Sequence, residues 1–247
     1  MVTPRHLRNA PITESIIDFR VKARTGFRPE DFSNLKTKLA NQFPMVQEHR
    51  LKQASFGLIR GEAQPPVLKD LGIQGYFFKT SDEKTIAQFR IDGFTFNRLR
   101  PYTSWEEIFP QAMELWRLYA NLCKPEVIMR LAVRYINQIT MKGGTDLETY
   151  LRTAPIIPKE LPQYVRGFLT RITIYDPDKN IAANVIQALQ DRKPGSELAV
   201  ILDIDAYKEG EVSADDPKID QTLEQLRDFK NLIFFNNLTE NTIRSFE

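Results

Sequence analysis

Two aspartates in an apolar run, Leu202-Asp203-Ile204-Asp205, are the residues of this 247-residue chain whose spacing most directly suits chemistry. Residues two apart on a strand share a face, so the two carboxylates point the same way. Paired hard oxygen donors suit a divalent cation, and with Glu14 or Asp18 they would build a nuclease or phosphotransfer site. They equally suit ion pairs with arginines on a neighbouring strand. Those arginines exist: Arg130 and Arg134, four apart, lie on one strand face about 13 Å from each other at ~3.3 Å per residue, with Asn137 at the strand end. They could grip a phosphate or carboxylate bidentately. They could also pair across strands with Asp203, Asp205, Asp18 or Asp92. The carboxylates on these neighbouring segments match the arginines in number, so the paired reading is preferred. A third set, Phe94, Phe96, Arg98, Arg100 and Tyr102, puts aromatic and basic residues on one side of an extended segment, a mixture that stacks bases and contacts phosphates. Aromatics at period two more commonly pack a core. The candidate ligand-binding residues are thus Arg130, Arg134, Asn137, Asp203, Asp205, Arg98 and Tyr102. None is given a catalytic role, and no metal or cofactor is expected.

The remaining composition narrows the classes. Glycine-rich phosphate loops, nucleophile elbows, HExxH helices and EF-hand loops are absent from the sequence. One cysteine, Cys123, leaves no intrachain disulfide, and its apolar helical surroundings predict a buried, inert thiol. With His6 and His49 as the only histidines, a structural zinc site or a Cys–His nucleophilic pair is not expected. A net charge of +2, from 34 basic and 32 acidic residues, gives no overall footprint for nucleic acid or an anionic membrane. Arg5-His6-Leu7-Arg8 leads into Asn9-Ala10-Pro11 rather than an apolar stretch, which is no secretory signal. No run approaches the ~20 apolar residues that span a bilayer. The expected location is cytoplasmic.

The elements that must position the candidate residues can be read from periodicity. Glu14–Ala23 alternates as a half-buried strand. Phe32, Leu35, Leu39 and Phe43 recur at helical spacing behind Pro29, and Pro44 ends that helix. Strands are expected at Gln53–Arg60, Ile73–Lys79, Thr85–Ile91 and Phe94–Leu99, with a Pro65-Pro66 loop between the first two. Asp92-Gly93 is either a hairpin turn or a bulge. Ser104 with Glu107 forms a capping box opening a helix whose stripe carries Trp105, Trp116 and Tyr119, with Pro110 inside it. The order then repeats: a strand at Val127–Thr140, a Gly143-Gly144 turn, a short helix capped by Asp146, and strands at Tyr164–Tyr175, Ile181–Leu189 and Leu198–Tyr207. Asp176-Pro177-Asp178 and Lys193-Pro194-Gly195 are the turns between these, and a final helix opens at Asp216-Pro217. The chain therefore reads as α+β, built from two tandem β-α-β-β-β-α units, residues 1–124 and 125–247. Mostly antiparallel sheet with helices on one face is expected, whether as two domains or one continuous one.

Several short motifs also carry a resemblance. Ala10-Pro11-Ile12 with Glu14 opens the first strand; Asp92-Gly93-Phe94 with Phe96, Arg98 and Leu99 leads to Pro101-Tyr102 and Trp105-Glu106. Arg134-Tyr135-Ile136-Asn137, Leu202-Asp203-Ile204-Asp205, and Phe235 with Leu238-Thr239 and Phe246 follow in order. Over nearly its full length the chain resembles a sporadically distributed prokaryotic family of about 250 residues with no assigned function. The resemblance implies an intracellular microbial protein with the patchy distribution familiar from defence and toxin–antitoxin genes, and it carries over no site residues. The expected function is that of a non-enzymatic interaction protein, such as an antitoxin or accessory subunit of a defence module, with a protein partner or a second copy as its ligand. A small-ligand binder on a sheet face, or a metal-dependent enzyme acting on nucleic acid or nucleotide through Asp203 and Asp205, are the alternatives.

Overall fold

The strands of this chain assemble by alternation. In the computed structural model, which describes Arg5 and residues 7–55, 58–59, 62–63, 67–141, 146–190 and 197–247, they are β1 (Ile12–Lys22), β2 (Met45–Ser55), β3 (Leu58–Ile59), β4 (Glu62–Ala63), β5 (Val67–Lys79), β6 (Thr85–Arg90), β7 (Gly93–Leu99), β8 (Val127–Met141), β9 (Leu169–Asp176), β10 (Ile181–Leu189) and β11 (Leu198–Val212). The helices are α1 (Leu35–Lys38), α2 (Trp105–Cys123), α3 (Ile219–Asn237) and α4 (Glu240–Arg244). Nine strands join in one antiparallel sheet, ordered β2-β5-β6-β7-β1-β8-β11-β10-β9, while β3 and β4 pair separately. From the central pair β1–β8 the sheet runs outward through β7, β6, β5 and β2 on one side, and through β11, β10 and β9 on the other.

Register explains which side becomes core. Phe19 lies opposite Phe94 of β7 and Leu131 of β8, and Ile17 lies opposite Phe96 and Val133. All six are buried, with α2 and α3 packed over that face. Trp116 of α2 stacks on Phe19 with ring centroids 4.0 Å apart and planes within 8°. Trp105, Trp116 and Tyr119 are all buried, as the helical stripe predicted. Ser104 accepts a hydrogen bond from the Glu107 amide at 3.3 Å, which satisfies one free donor at the start of α2. α2 runs on through Pro110. Cys123 is buried between this helix and the sheet, and burial pushes its thiol up to about 12. It is inert, as expected.

Differences from the sequence reading have local causes. Phe32, Leu35, Leu39 and Phe43 are all buried, yet only a six-residue 3-10 turn (Pro29–Asn34) and four-residue α1 form there. Their spacing reports burial; Ser33, Asn34 and Thr37 between them favour turns over a longer helix. β2 starts at Met45, well before Gln53, because its polar stretch is a sheet edge with no buried face to impose alternation. β9 begins at Leu169, later than Tyr164, and the short helix after Asp146 is a 3-10 turn of three residues (Leu147–Thr149). α4, capped by Thr239, was not foreseen. Arg90 pairs with Gly93, so Asp92-Gly93 belongs to a hairpin turn rather than a bulge. Gly93 is required there: a Cβ would lie 2.1 Å from the Phe19 carbonyl oxygen. The expected Pro65-Pro66 loop and the Gly143-Gly144 and Lys193-Pro194-Gly195 turns lie outside the described residues.

Candidate functional site

Alternation that sends Phe19, Phe94 and Leu131 under the helices sends Asp18, Thr95 and Arg130 to the other face. Arg130 lies across the aromatic ring of Tyr207, 4.5 Å from its centroid, and donates from Nη2 to both Asp205 oxygens at 2.8 and 2.7 Å. Arg134 grips Asp203 through Nε at 2.8 Å and Nη2 at 2.5 Å. Register sets Asp205 directly opposite Arg134, so both guanidiniums lean along the sheet to reach these partners. Hydrogen bonding to Asp203 raises Arg134 above its ordinary range, against the opposing effect of burial.

From Arg130 the network continues sideways. Its Nη1 lies 3.6 Å from Asp18, which also receives Arg20 Nε at 3.1 Å and the Thr95 hydroxyl at 2.5 Å. Arg90 donates to Thr95 at 2.7 Å, to Gln88 at 3.1 Å and to Asp92 at 2.9 Å. Asn97 bridges Gln88 and Glu14, at 2.8 and 2.6 Å. Burial alone would raise the Asp92 carboxyl, but Arg90 and then Arg20 overcome it and hold it below the usual carboxylate range. Five strands are thereby tied together, with each arginine facing a carboxylate, although the buried Arg90 Nη2 reaches Asp18 only at ion-pair distance, 3.6 Å, and has no hydrogen-bond acceptor.

The seven predicted residues do not form one site. Arg130, Arg134, Asp203 and Asp205 meet on this open face, as the matched charges implied. Asn137 shares Tyr135's parity and so faces the helices, buried, with its amide donating to the Leu202 carbonyl at 3.0 Å and the Tyr135 carbonyl at 3.3 Å. Arg98 follows Phe94 and Phe96 on the helix side and donates to Thr85 Oγ1 at 2.7 Å. Phe94 and Phe96 are core residues, at 0% and 1% exposure, so they are no base-stacking platform. Tyr102, beyond the end of β7, shares a 2.9 Å hydroxyl contact with Tyr135.

Tyr102, Tyr135 and Asn137 instead line a cavity of about 290 Å³ beneath α3. Trp105 of α2 and Arg227, Lys230 and Phe234 of α3 complete much of its wall. Trp105 Nε1 donates to Glu224 at 2.5 Å, and Arg227 reaches Glu224 and Glu106 at 3.2 Å each. Lys230 is the surprise. It is 5% exposed, its Nζ sits 3.6 Å from the Tyr135 ring centroid, and its hydrogen-bond acceptor is Asn231 Oδ1 at 2.6 Å. Among the described residues no carboxylate lies within ion-pair distance of it. Burial, aided by Arg227, lowers its ammonium to about 7 against a weak opposing effect of Asp228. Burial likewise pushes the Tyr102 and Tyr135 phenols up. A signal for Lys230 was present in the sequence: it stands four after Leu226 and three before Ile233, on the apolar stripe of its helix.

Among the described residues no group of three or more His, Cys, Asp or Glu is arranged to hold a metal ion, and no helix is long and apolar enough to cross a membrane. No family model, curated protein or solved structure matches the chain.

Proposed function

We propose that this chain is a non-enzymatic interaction protein whose docking element is the free edge of β9. The observation that carries the reading is the distribution of exposed apolar side chains. Twelve large ones are exposed among the described residues, and six of these, Ile156, Leu161, Tyr164, Leu169, Ile172 and Tyr175, fall in β9 and the connection leading into it. Exposed apolar side chains concentrated in one segment, here on both faces of an edge strand, are characteristic of a contact with another protein. Among the described residues β9 also ends the sheet, which leaves its outer backbone donors and acceptors free to add a strand.

A second copy of the chain fits this edge. From residue 156 to 176 the charges are Lys159, Arg166 and Arg171 against Glu160 and Asp176, close enough to balance that two copies do not repel. Antiparallel pairing of two β9 strands about Thr173 sets Arg171 opposite Tyr175 and Thr170 opposite Asp176, with no like charges across the seam. Light scattering on the full chain tests the reading. A particle of twice the 28.7 kDa chain mass is expected at micromolar concentration, and a monomer throughout would overturn it.

The resemblance to a sporadically distributed prokaryotic family supports a cytoplasmic role as an antitoxin or accessory subunit of a defence module. We also read the chain as two tandem units, 1–124 and 125–247, on the strength of the outward strand order from β1–β8 and the closing positions of α2 and α3. In that reading β2 is the strand without a counterpart. The metal-dependent alternative finds no support in the geometry, since a cation would have to displace the bidentate Arg134 from Asp203 or the Arg130 Nη2 from Asp205.

A further inference from the structure

Lys230 is the only buried lysine among the described residues, and the groups around it leave its charge unmatched. Arg227, one turn earlier on α3, is balanced by Glu224 and Glu106, and Arg5 at the cavity rim by Glu240 and Glu247. The other charged or titratable neighbours are Asp228 on α3, Tyr135 on β8 and Tyr102 before α2. The Tyr135 ring face and the Asn231 amide oxygen stabilise the ammonium in part, but no carboxylate neutralises it, and a buried cation without a counter-ion is costly. Three aromatic side chains, Trp105, Tyr135 and Phe234, share the wall with polar Thr103, Ser104, Asn137 and Asn231, and the Trp105 ring is itself packed against Phe109 and Arg227. Pockets for small molecules combine such walls with a few placed polar groups, and a cavity near 300 Å³ lies at the small end of their range.

We infer that this cavity binds a small monocarboxylate with a flat apolar body, its carboxylate held by Lys230 beside the Tyr102 and Tyr135 hydroxyls. One unmatched positive charge selects a monoanion over a phosphate dianion. The aromatic side chains in the lining favour a planar body, and the polar ones leave room for hydrogen bonds at its edge. Because the lysine titrates near neutrality, the anion draws a proton into the site as it binds. This site is separate from the β9 edge and stands or falls independently of it.

Calorimetric titration of the full chain with benzoate, benzamide and inorganic phosphate tests the assignment. Benzoate is expected to bind in the low-millimolar range at pH 6.5, a reasonable affinity for so small a ligand. Uncharged benzamide should bind at least roughly tenfold more weakly, and K230M should abolish benzoate binding. Benzoate affinity should fall about tenfold for each pH unit above the lysine's titration. Absence of benzoate binding, equal binding of benzamide, preference for phosphate, or benzoate affinity unchanged by K230M would each overturn the site. Should K230M fail to fold, the benzamide control and the pH series on the unaltered chain decide the matter.

Discussion

The sheet meets solvent in two contrasting places. Across β6, β7, β1, β8 and β11 the uncovered face is charged, and every arginine there already holds a carboxylate: Arg134 on Asp203, Arg130 on Asp205, and Arg20 and Arg90 shared between Asp18 and Asp92. At β9 the exposed residues are Leu169, Ile172 and Tyr175 together with Arg171 and Thr173, and among the described residues the strand has a neighbour on one side alone. The opposite edge, β2, also exposes Met45, Val46 and Leu51, but intersperses Glu48, Arg50 and Lys52, and Arg50 pairs with Glu48 and Asp70. Charge along an edge opposes strand addition. β9 carries a single charge within the strand, Arg171, before its terminal Asp176. A charged surface that completes nearly all of its own interactions has little left to offer a partner, while an edge that completes neither its backbone nor its apolar side chains has both. The proposed β9 contact thus rests on where internal complementation stops rather than on charge density.

Perturbations of the two regions should separate accordingly, and the covered face sets the upper end of the scale. Trp116→Ala removes the ring stacked on Phe19 and should cost about 3–5 kcal/mol in urea unfolding. Replacing Asp203 and Asp205 together with Asn strands two partly buried guanidiniums and should cost roughly 2–4 kcal/mol, discounted from fully buried pairs because Arg134 is 41% exposed. Self-association should survive that double change. If it did not, the charged face rather than the edge would be the interface.

Lys230 gives a pH signature of comparable size. Its folded titration, about 7, lies below the usual 10.5, so between these values the unfolded chain binds more protons and stability rises with pH. The gain should reach about 2–3 kcal/mol from pH 7 to 9, at 1.36 kcal/mol per unit. Above that window the raised Cys123, Tyr102 and Tyr135 reverse the trend, because the unfolded chain then releases its protons first. Denaturant midpoints measured across the range should show the rise in the unaltered chain and its loss in K230M.

Much of the charged face was legible beforehand, because alternation and a count of opposite charges are local properties. Asp203 and Asp205 on one strand, and Arg130 and Arg134 on another, needed only the right strands to be neighbours. Proximity in sequence groups Asn137 with those arginines, although its odd number places it with Tyr135 on the covered side. Alternation likewise groups Tyr102 with Phe94 and Phe96, but it ends once β7 stops at Leu99. Nothing local distinguishes β9 from an interior strand: Ile172 and Ile174 alternate as core residues do, and only the strand order of the whole sheet makes it an edge. The cavity was illegible for a related reason, since its walls come from β8, α2, α3 and the segment before β1, brought together by the tertiary fold.

Ile172→Lys carries the smallest expected change in stability, within about 0.5 kcal/mol for an exposed edge position, and the largest expected change in association. Hydrogen–deuterium exchange over residues 169–176, compared between the unaltered chain and this variant, tests the central claim most directly. If β9 pairs with a second copy, its outward amides are protected in the unaltered chain and lose that protection in the variant, while β10 and β11 exchange identically in both. Equal and rapid exchange of β9 in the two proteins would contradict it.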